Sequence, residues 1–266
     1  MNIPFNPDDR QYLARIAPTM HNAFRPVSET ELFALPSSSL CQLCGTPTQG
    51  YEHCYTCNNS ILASEFGPQL PDRFAFLTYA ISNDQSGRDV YQYKDAGGVA
   101  LDRLSTLLYF FVNYHSGCFR LSTGTSISHL AAVPSGRGRK DHPLETELLP
   151  RFPSTLERVA VTRVAPARKK GRQETIDPAI NRIDTDVNGR HVLVLEDTWT
   201  RGFNALSLAV GLKQAGASQV SVLTIARYLD ASYPPTEAWL NTNSPLSSYD
   251  PTFCPITRSP DCPDGT

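Results

Sequence analysis

Between residues 189 and 227 the sequence alternates between strand-like and helix-like patterns. The aliphatic run at 192–195 is typical of a buried strand, and the segment QVSVLTIAR at 219–227 predicts a second one. Between them, apolar residues recur at helical spacing until Gly216, a natural helix stop; they are Ala205, Leu208, Ala209 and Leu212. Strand, helix and strand in this order predict a βαβ unit. We therefore expect an α/β fold with a mostly parallel sheet and flanking helices.

Further strands are predicted at 74–81, after residue 128 and at 156–165, and a helix at 101–112. The changes in composition along the chain then predict four segments. An N-terminal arm occupies residues 1–36, a cysteine-containing module 37–66, the α/β domain 67–230 and a loose C-terminal tail 231–266.

Composition limits the classes of protein to which this chain belongs. Its 266 residues suit one large domain, or one domain with a small module, and 40% hydrophobic residues suffice for a core. The formal net charge of -2 gives no overall attraction to nucleic acid or to a membrane surface. The first ten residues do not resemble a signal peptide, and no segment approaches the roughly 20 apolar residues of a membrane span. We expect a cytoplasmic protein.

The cysteines are grouped. Four of the seven form two CxxC pairs, Cys41, Cys44, Cys54 and Cys57. Each pair can place two thiolates on one side of a tetrahedral ion, so the sequence predicts a structural zinc site. Buried or redox-active cysteines are the alternative, and His53 could replace one thiol. The other three cysteines, at 118, 254 and 262, are predicted to be ordinary core or tail residues.

The strand at 192–195 is followed by two acids and a hydroxyl-rich turn. In open α/β sheets, ligands bind where a strand ends and the next helix begins. The amides from Thr200 to Asn204 can bind a phosphate there, and Glu196 and Asp197 suit the hydroxyls of a sugar. A sugar 5-phosphate is therefore favoured. The alternative is an acidic turn in which Thr198 or Thr200 only caps the helix.

The stretch VLVLEDTWTRGFNALSLAVGLKQAGASQV resembles the phosphoribosyl-diphosphate (PRPP) signature of type I phosphoribosyltransferases. The order of features, with cysteine pairs first, is similar to the ComF-like (competence protein F) branch. The segments VYQYKDAGG, HLAAVPSGRGRKDHPL and VSVLTIAR also resemble parts of that branch, so the likeness covers residues 38 to 230. Arg201 departs from the pattern, because the family usually has a second threonine there.

The resemblance implies a type I phosphoribosyltransferase-like fold with Glu196 and Asp197 as catalytic residues that bind the ribose 2- and 3-hydroxyls. It implies that PRPP is also bound by Thr198, Thr200, Arg201, Gly202, Phe203 and Asn204 around the 5-phosphate, and by Ser135, Gly136 and Arg137 around the pyrophosphate. Magnesium would be held largely by oxygens of PRPP, and the cysteine pairs would hold structural zinc.

Three functions are consistent with these residues. The first is a transferase in which an unidentified nucleobase or amine displaces pyrophosphate at ribose C1. The second is a non-catalytic PRPP-binding or DNA-uptake factor. The third is a zinc-containing interaction protein that does not bind PRPP. Nucleic acid stays open as a partner, but the net charge does not support it. The basic clusters at 137–140 and 168–172 also lack the interleaved aromatic residues that would favour it.

Overall fold

The computed structural model describes residues 15–20, 23–27, 40–139, 141–166, 174–243 and 249–262. Most of the predicted N-terminal arm and the basic cluster at 168–172 therefore lie outside the described residues. Within the described residues, no helix has the length and apolar character needed to cross a membrane.

Within the described residues the sheets contain seven strands, which are β1 (Arg73–Ile81), β2 (His129–Ala132), β3 (Glu157–Arg158), β4 (Val161–Arg163), β5 (Asn181–Ile183), β6 (His191–Trp199) and β7 (Gln219–Leu229). Five of them form one sheet in the order β1-β7-β6-β2-β3, and β4 and β5 form a separate antiparallel pair. β2 pairs in parallel with both β3 and β6. The prediction of an α/β fold with a mostly parallel sheet is confirmed.

The α-helices of the described residues are α1 (Gln85–Ala96), α2 (Gly98–Phe110), α3 (Cys118–Thr123), α4 (Phe203–Gln214) and α5 (Pro234–Asn243), and residues 15–20 are also helical. Helix α2 continues into a π-helical turn at Phe111–His115. The predicted unit at 189–227 is present as β6, α4 and β7. The aliphatic run of β6 is buried, as is most of α4, and α4 ends just before Gly216.

The predicted strand at 156–165 is divided between two sheets, which corrects the sequence interpretation. The amide of Val159 still donates to the carbonyl of Leu130, next to β2. One residue later the partners change, because the amide of Ala160 donates to Oγ1 of Thr185 and the amide of Asp184 donates to the carbonyl of Ala160. The apolar pattern is continuous across this change of partner, so the pattern did not reveal it.

The C-terminal region differs from the loose tail predicted from residue 231. Helix α5 begins at Pro234, and proline is tolerated in the first turn of a helix because its missing N–H has no partner there. Further along, Tyr249, Cys254 and Arg258 are buried. Within 231–243 and 249–262, the described part of this region, the prolines therefore do not mark a structureless tail.

The chain divides into two compact units. One contains residues 1–54, 76–118 and 225–266, and the other contains 55–75 and 119–224. These units do not follow the predicted segment boundaries, because the beginning and the end of the chain group together with 76–118. Strands β2 to β6 and helix α4 belong to the second unit.

Candidate functional site

Strand β6 continues through the two acids. The sequence predicted its end at Leu195, whereas the strand extends to Trp199. Glu196 and Asp197 are therefore part of the strand, and both are buried. Burying a carboxylate is unfavourable unless the protein or a ligand provides partners for it. Two adjacent buried acids at the carboxyl end of a parallel strand are typical of a ligand-binding position.

The loop after β2 leaves the sheet beside these acids. Ala132 is in register with Leu195, and the amide of Val133 donates to the carbonyl of Leu195 over 3.0 Å. The predicted pyrophosphate-binding residues follow directly: Ser135 and Gly136 are half-buried, and Arg137 is exposed. The Arg137 amide donates to Oγ of Ser135 over 3.3 Å, which gives the loop a compact turn.

The two predicted phosphate-binding segments come together. A Cβ added to Gly136 would lie 3.8 Å from Nδ2 of Asn204, in the first turn of α4. Asn204 is half-buried, whereas the side chain of Phe203 is buried in the core, so Phe203 can offer a ligand only its backbone. The first amides of a helix have no partner within the helix and carry a partial positive charge. The start of α4 is thus suited to bind an anion.

Gly202 fixes the geometry of this turn. It is the N-cap of α4 with φ of 84°, a left-handed conformation that favours glycine. A Cβ there would lie 2.0 Å from Cζ2 of Trp199, whose buried ring makes an edge contact with Phe74 at 5.7 Å between centroids. Two independent constraints therefore require glycine at this position.

The N-cap position of α4 belongs to Gly202 rather than to a threonine. Oγ1 of Thr198 is buried and has no hydrogen-bond partner among the described residues, so Thr198 does not cap the helix. Thr200 is half-buried two residues before Gly202.

Arg201 is directed towards an exposed carboxylate. Its Nη1 lies 3.0 Å from Oε1 of Glu174, and both side chains are largely exposed. Exposed ion pairs of this kind contribute little to stability because water screens them. Glu174 nevertheless binds the Arg201 guanidinium, which the sequence analysis had placed beside the 5-phosphate of PRPP.

His142 was not singled out from the sequence. Its Nε2 lies 3.7 Å from Oδ2 of Asp197, and both side chains are buried. The amide of Leu144 donates to Nδ1 of His142 over 3.2 Å. A ring nitrogen that accepts a hydrogen bond carries no proton, so neutral His142 has its proton on Nε2, facing Asp197. The one feature of the sequence that could have drawn attention to His142 is its position shortly after the loop that follows β2.

His191 has a structural role at the start of β6. Its Nδ1 lies 2.9 Å from the carbonyl of Thr125 and its Nε2 2.9 Å from Oγ of Ser221. Burial lowers the pKa of His191, which keeps the ring neutral in the folded protein. Because Asp197 lies near the other end of the strand, His191 is not part of the acidic site.

The four cysteines of the CxxC pairs, which we name the four-cysteine cluster, converge. Their sulfur atoms all lie within 4.8 Å of one another. Sγ of Cys44 lies 3.7 Å from Sγ of Cys54, and sulfurs bound to one tetrahedral zinc at about 2.3 Å lie about 3.8 Å apart. His53 is not a member of the group. These residues could therefore hold a zinc ion with four thiolates.

Two buried arginines contact this cluster. Arg227 donates from Nε to the carbonyl of Cys44 over 3.0 Å, and its Nη2 lies 3.8 Å from Sγ of the same residue. Arg258 donates to the carbonyls of Cys41 and Leu43 over 3.1 and 2.9 Å. A zinc ion with four thiolates carries two negative charges, which buried guanidinium groups offset. No sequence pattern linked either arginine to the cysteines.

The three remaining cysteines also converge, which corrects the prediction that they lack partners. Cys118, Cys254 and Cys262 form a group with His115, which we name the histidine–cysteine cluster, and its ligand atoms lie within 4.8 Å of one another. The hydrogen bond with Cys118 lowers the pKa of the Cys254 thiol. The sequence could not show this cluster, because the fold brings distant residues together.

The sequence matches no model of a known protein family and no curated protein.

Proposed function

We propose that the protein is a PRPP-dependent phosphoribosyltransferase. In this reaction a nitrogen of a nucleobase or amine attacks ribose C1, and the C1–O bond to pyrophosphate breaks. One observation carries the proposal: Glu196 and Asp197 lie near the carboxyl end of β6, which α4 follows in the chain, and β2 ends in register with Leu195, the residue before them. Each part of PRPP has a chemically matched partner in this arrangement.

The 5-phosphate is matched by the first turn of α4. The first amides of α4 follow the left-handed Gly202, and the half-buried side chains of Thr200 and Asn204 offer further donors. The buried acids match the ribose, because carboxylates accept hydrogen bonds from two hydroxyls but repel a second phosphate. The acids and the helix terminus thus favour a sugar phosphate over a polyphosphate.

The pyrophosphate is matched by residues 135–137. The amides of this loop and the exposed guanidinium of Arg137 can offset the negative charge that develops on the leaving group. Magnesium, held mainly by oxygens of PRPP, would supply further positive charge there. Positioning and electrostatic stabilisation of an oxocarbenium-like transition state are then sufficient for catalysis, without a covalent intermediate.

His142 acts as a positioning residue in this proposal. Its Nε2–H faces Oδ2 of Asp197, which favours the ionised carboxylate and limits its rotation. An ionised Asp197 accepts hydrogen bonds from ribose hydroxyls, whereas a protonated one has lost part of that capacity.

A protein that binds PRPP without catalysis, including a DNA-uptake factor, is the second candidate. The pairing of Arg201 with Glu174 favours it, because this guanidinium is then not available to the phosphate. An interaction protein with no affinity for PRPP is the third candidate, and the binding experiment separates it from the other two.

The first test is calorimetric titration of the zinc-loaded protein with PRPP, with and without Mg²⁺. We expect binding that depends on Mg²⁺, weaker binding of pyrophosphate or ribose 5-phosphate alone, and loss of binding in Asp197→Asn. The matched control is Glu147→Gln, which removes an exposed carboxylate from the compact unit that also contains Asp197 and should leave PRPP binding unchanged. Absence of PRPP binding would exclude both PRPP-dependent functions.

The second test separates enzyme from binding protein. The protein with Mg²⁺ and PRPP is incubated with a panel of nucleobases and amines, and released pyrophosphate is measured. Release that requires one acceptor and is abolished by Asp197→Asn supports the transferase. Tight PRPP binding without release for any acceptor supports the non-catalytic candidate.

A further inference from the structure

We propose that His115, Cys118, Cys254 and Cys262 bind a second zinc ion, which ties the C-terminal segment 249–262 to the region between α2 and α3. This site is independent of the proposed PRPP site, because all four residues belong to the other compact unit. Three of the ligands are buried, and Cys262 is half-buried.

The spacing of the ligand atoms matches a tetrahedral ion. Nδ1 of His115 lies 3.5 Å from Sγ of Cys262 and 3.9 Å from Sγ of Cys118. With Zn–S of about 2.3 Å and Zn–N of about 2.0 Å, a tetrahedral site places sulfur and nitrogen about 3.6 Å apart. The sulfurs of Cys118 and Cys262 lie 3.2 Å apart, whereas two sulfurs bound to one zinc lie about 3.8 Å apart. Zinc binding therefore requires these two side chains to move slightly apart.

His115 has the orientation of a metal ligand. Its Nε2 lies 2.9 Å from the carbonyl of Pro251, which can only accept a hydrogen bond. Nε2 therefore carries the ring proton, and the lone pair of Nδ1 faces the cysteines. Zinc-bound histidines commonly donate their other ring N–H to a carbonyl or carboxylate in this way, which fixes the tautomer and the ring plane.

The ligand set specifies the metal and its role. Three thiolates and one imidazole are a common structural zinc set, and four protein ligands leave no open position for substrate. Zinc binding requires all three cysteines as thiolates, so the complex with a neutral imidazole carries one negative charge. The two clusters then contain all seven cysteines of the chain.

The second zinc would also support the four-cysteine cluster. Cys254 and Arg258 lie in one tight turn, in which the Arg258 amide donates to the carbonyl of Cys254 and the Cys254 amide to that of Ser259. Arg258 has φ of 55°, a conformation that is unfavourable for a non-glycine residue and persists only where neighbours hold it. From this turn its guanidinium reaches the carbonyls of Cys41 and Leu43.

Metal content of the full-length protein tests the proposal. After purification under reducing conditions and dialysis against a weak chelator, we expect two zinc ions per chain by elemental analysis. His115→Asn and Cys254→Ser should each retain one. The control His53→Asn, which changes a histidine next to a ligand of the four-cysteine cluster, should retain two. One zinc per chain in the wild type would overturn the proposal.

Alkylation of the wild-type cysteines gives a second test, which remains decisive if the variants do not fold. We expect Cys118, Cys254 and Cys262 to resist alkylation until a strong chelator removes the zinc, after which mass spectrometry finds all three modified. Protection that is released only by a reductant would show a disulfide, and modification before chelation would show free thiols. Either result contradicts the second zinc site.

Cobalt substitution counts the thiolate ligands. Charge-transfer absorption of the Co²⁺ protein grows with the number of bound thiolates, and we expect seven in the wild type from the two clusters. Cys262→Ser changes a half-buried ligand and should lower this absorption selectively. Absorption that corresponds to four thiolates in the wild type would contradict the proposal.

Discussion

His142 Nε2 lies 3.7 Å from Asp197 Oδ2, and this contact joins the segment after the β2 loop to the acidic end of β6. The distance is too long for a good hydrogen bond, so the interaction is electrostatic. The ring is fixed by the Leu144 amide, which donates to Nδ1. Asp197 therefore faces a donor that does not depend on a bound ligand.

We predict that His142→Ala weakens PRPP binding about three- to tenfold, as expected for a contact of roughly 1 kcal/mol. His142→Gln keeps an N–H donor near the place of Nε2 and should restore most of the affinity. Calorimetry gives the affinities, and thermal unfolding shows whether both variants remain folded. Equal affinity in wild type and His142→Ala would remove the positioning role.

Gly202→Ala should destabilise the protein strongly. The new Cβ would occupy the space of the Trp199 ring, and the left-handed backbone adds strain, together about 2–5 kcal/mol. Gly189→Ala is the control, because Gly189 has φ of 68° and nothing within 4 Å of an added Cβ. That variant should lose only the backbone component, about 1 kcal/mol. Urea unfolding measures both, and equal losses would show that the Trp199 contact is unimportant.

The part of the fold that sequence predicts best is the β6–α4–β7 unit. Its two strands are mostly buried aliphatic runs, and the buried apolar residues of α4 recur at helical spacing, so these local patterns locate the unit. The convergence of the two CxxC pairs was predicted correctly, because their spacing is a local pattern. The roles of the acids and of the glycine turn stay predictions. It did not predict that β6 continues to Trp199, since the two acids resembled a turn.

Features that depend on distant contacts were not predictable from one sequence. His142 faces Asp197 because β2 and β6 are neighbours in the sheet, and nothing next to His142 in the sequence indicates this. The histidine–cysteine cluster has the same origin, since it joins residues near 115 to residues beyond 250. A CxxC pair is evident from its spacing, whereas ligands contributed singly become recognisable only in the fold.

Glu174→Gln tests whether the Arg201 guanidinium can serve the phosphate turn. The substitution removes the carboxylate 3.0 Å from Nη1 of Arg201, and the freed charge should tighten PRPP binding about two- to threefold at low salt. Stability should change little, because the pair is exposed. The gain should disappear in the double variant with Arg201→Ala. Tightening that persists without Arg201 would contradict this account.

His191→Gln tests the pH dependence of stability. Burial lowers the pKa of His191 below its ordinary value of 6.5, so the unfolded chain binds this proton more readily than the folded protein. The wild type therefore loses stability as pH falls below about 6.5, until the lowered pKa is reached. The variant lacks this group and should show a shallower decline in urea unfolding between pH 7 and 5.5. Parallel curves for the two proteins would show that His191 does not contribute.

Arg258→Met tests the link between the two cysteine clusters. The substitution keeps an apolar side chain but removes the hydrogen bonds to the carbonyls of Cys41 and Leu43 and a buried positive charge. Since that charge offsets the thiolates, zinc should leave the four-cysteine cluster faster, by about tenfold for the loss of roughly 1.4 kcal/mol. A colorimetric chelator follows the release.

The control for this experiment is Arg88→Met, which removes an exposed guanidinium from α1 and should leave the release rate unchanged. Cys254→Ser should also accelerate zinc release from the four-cysteine cluster, as Arg258→Met does, because Cys254 holds the turn that positions Arg258. The double variant should be no faster than Arg258→Met alone, since both changes act through one guanidinium. Independent, additive effects would show that the C-terminal segment does not connect the two clusters.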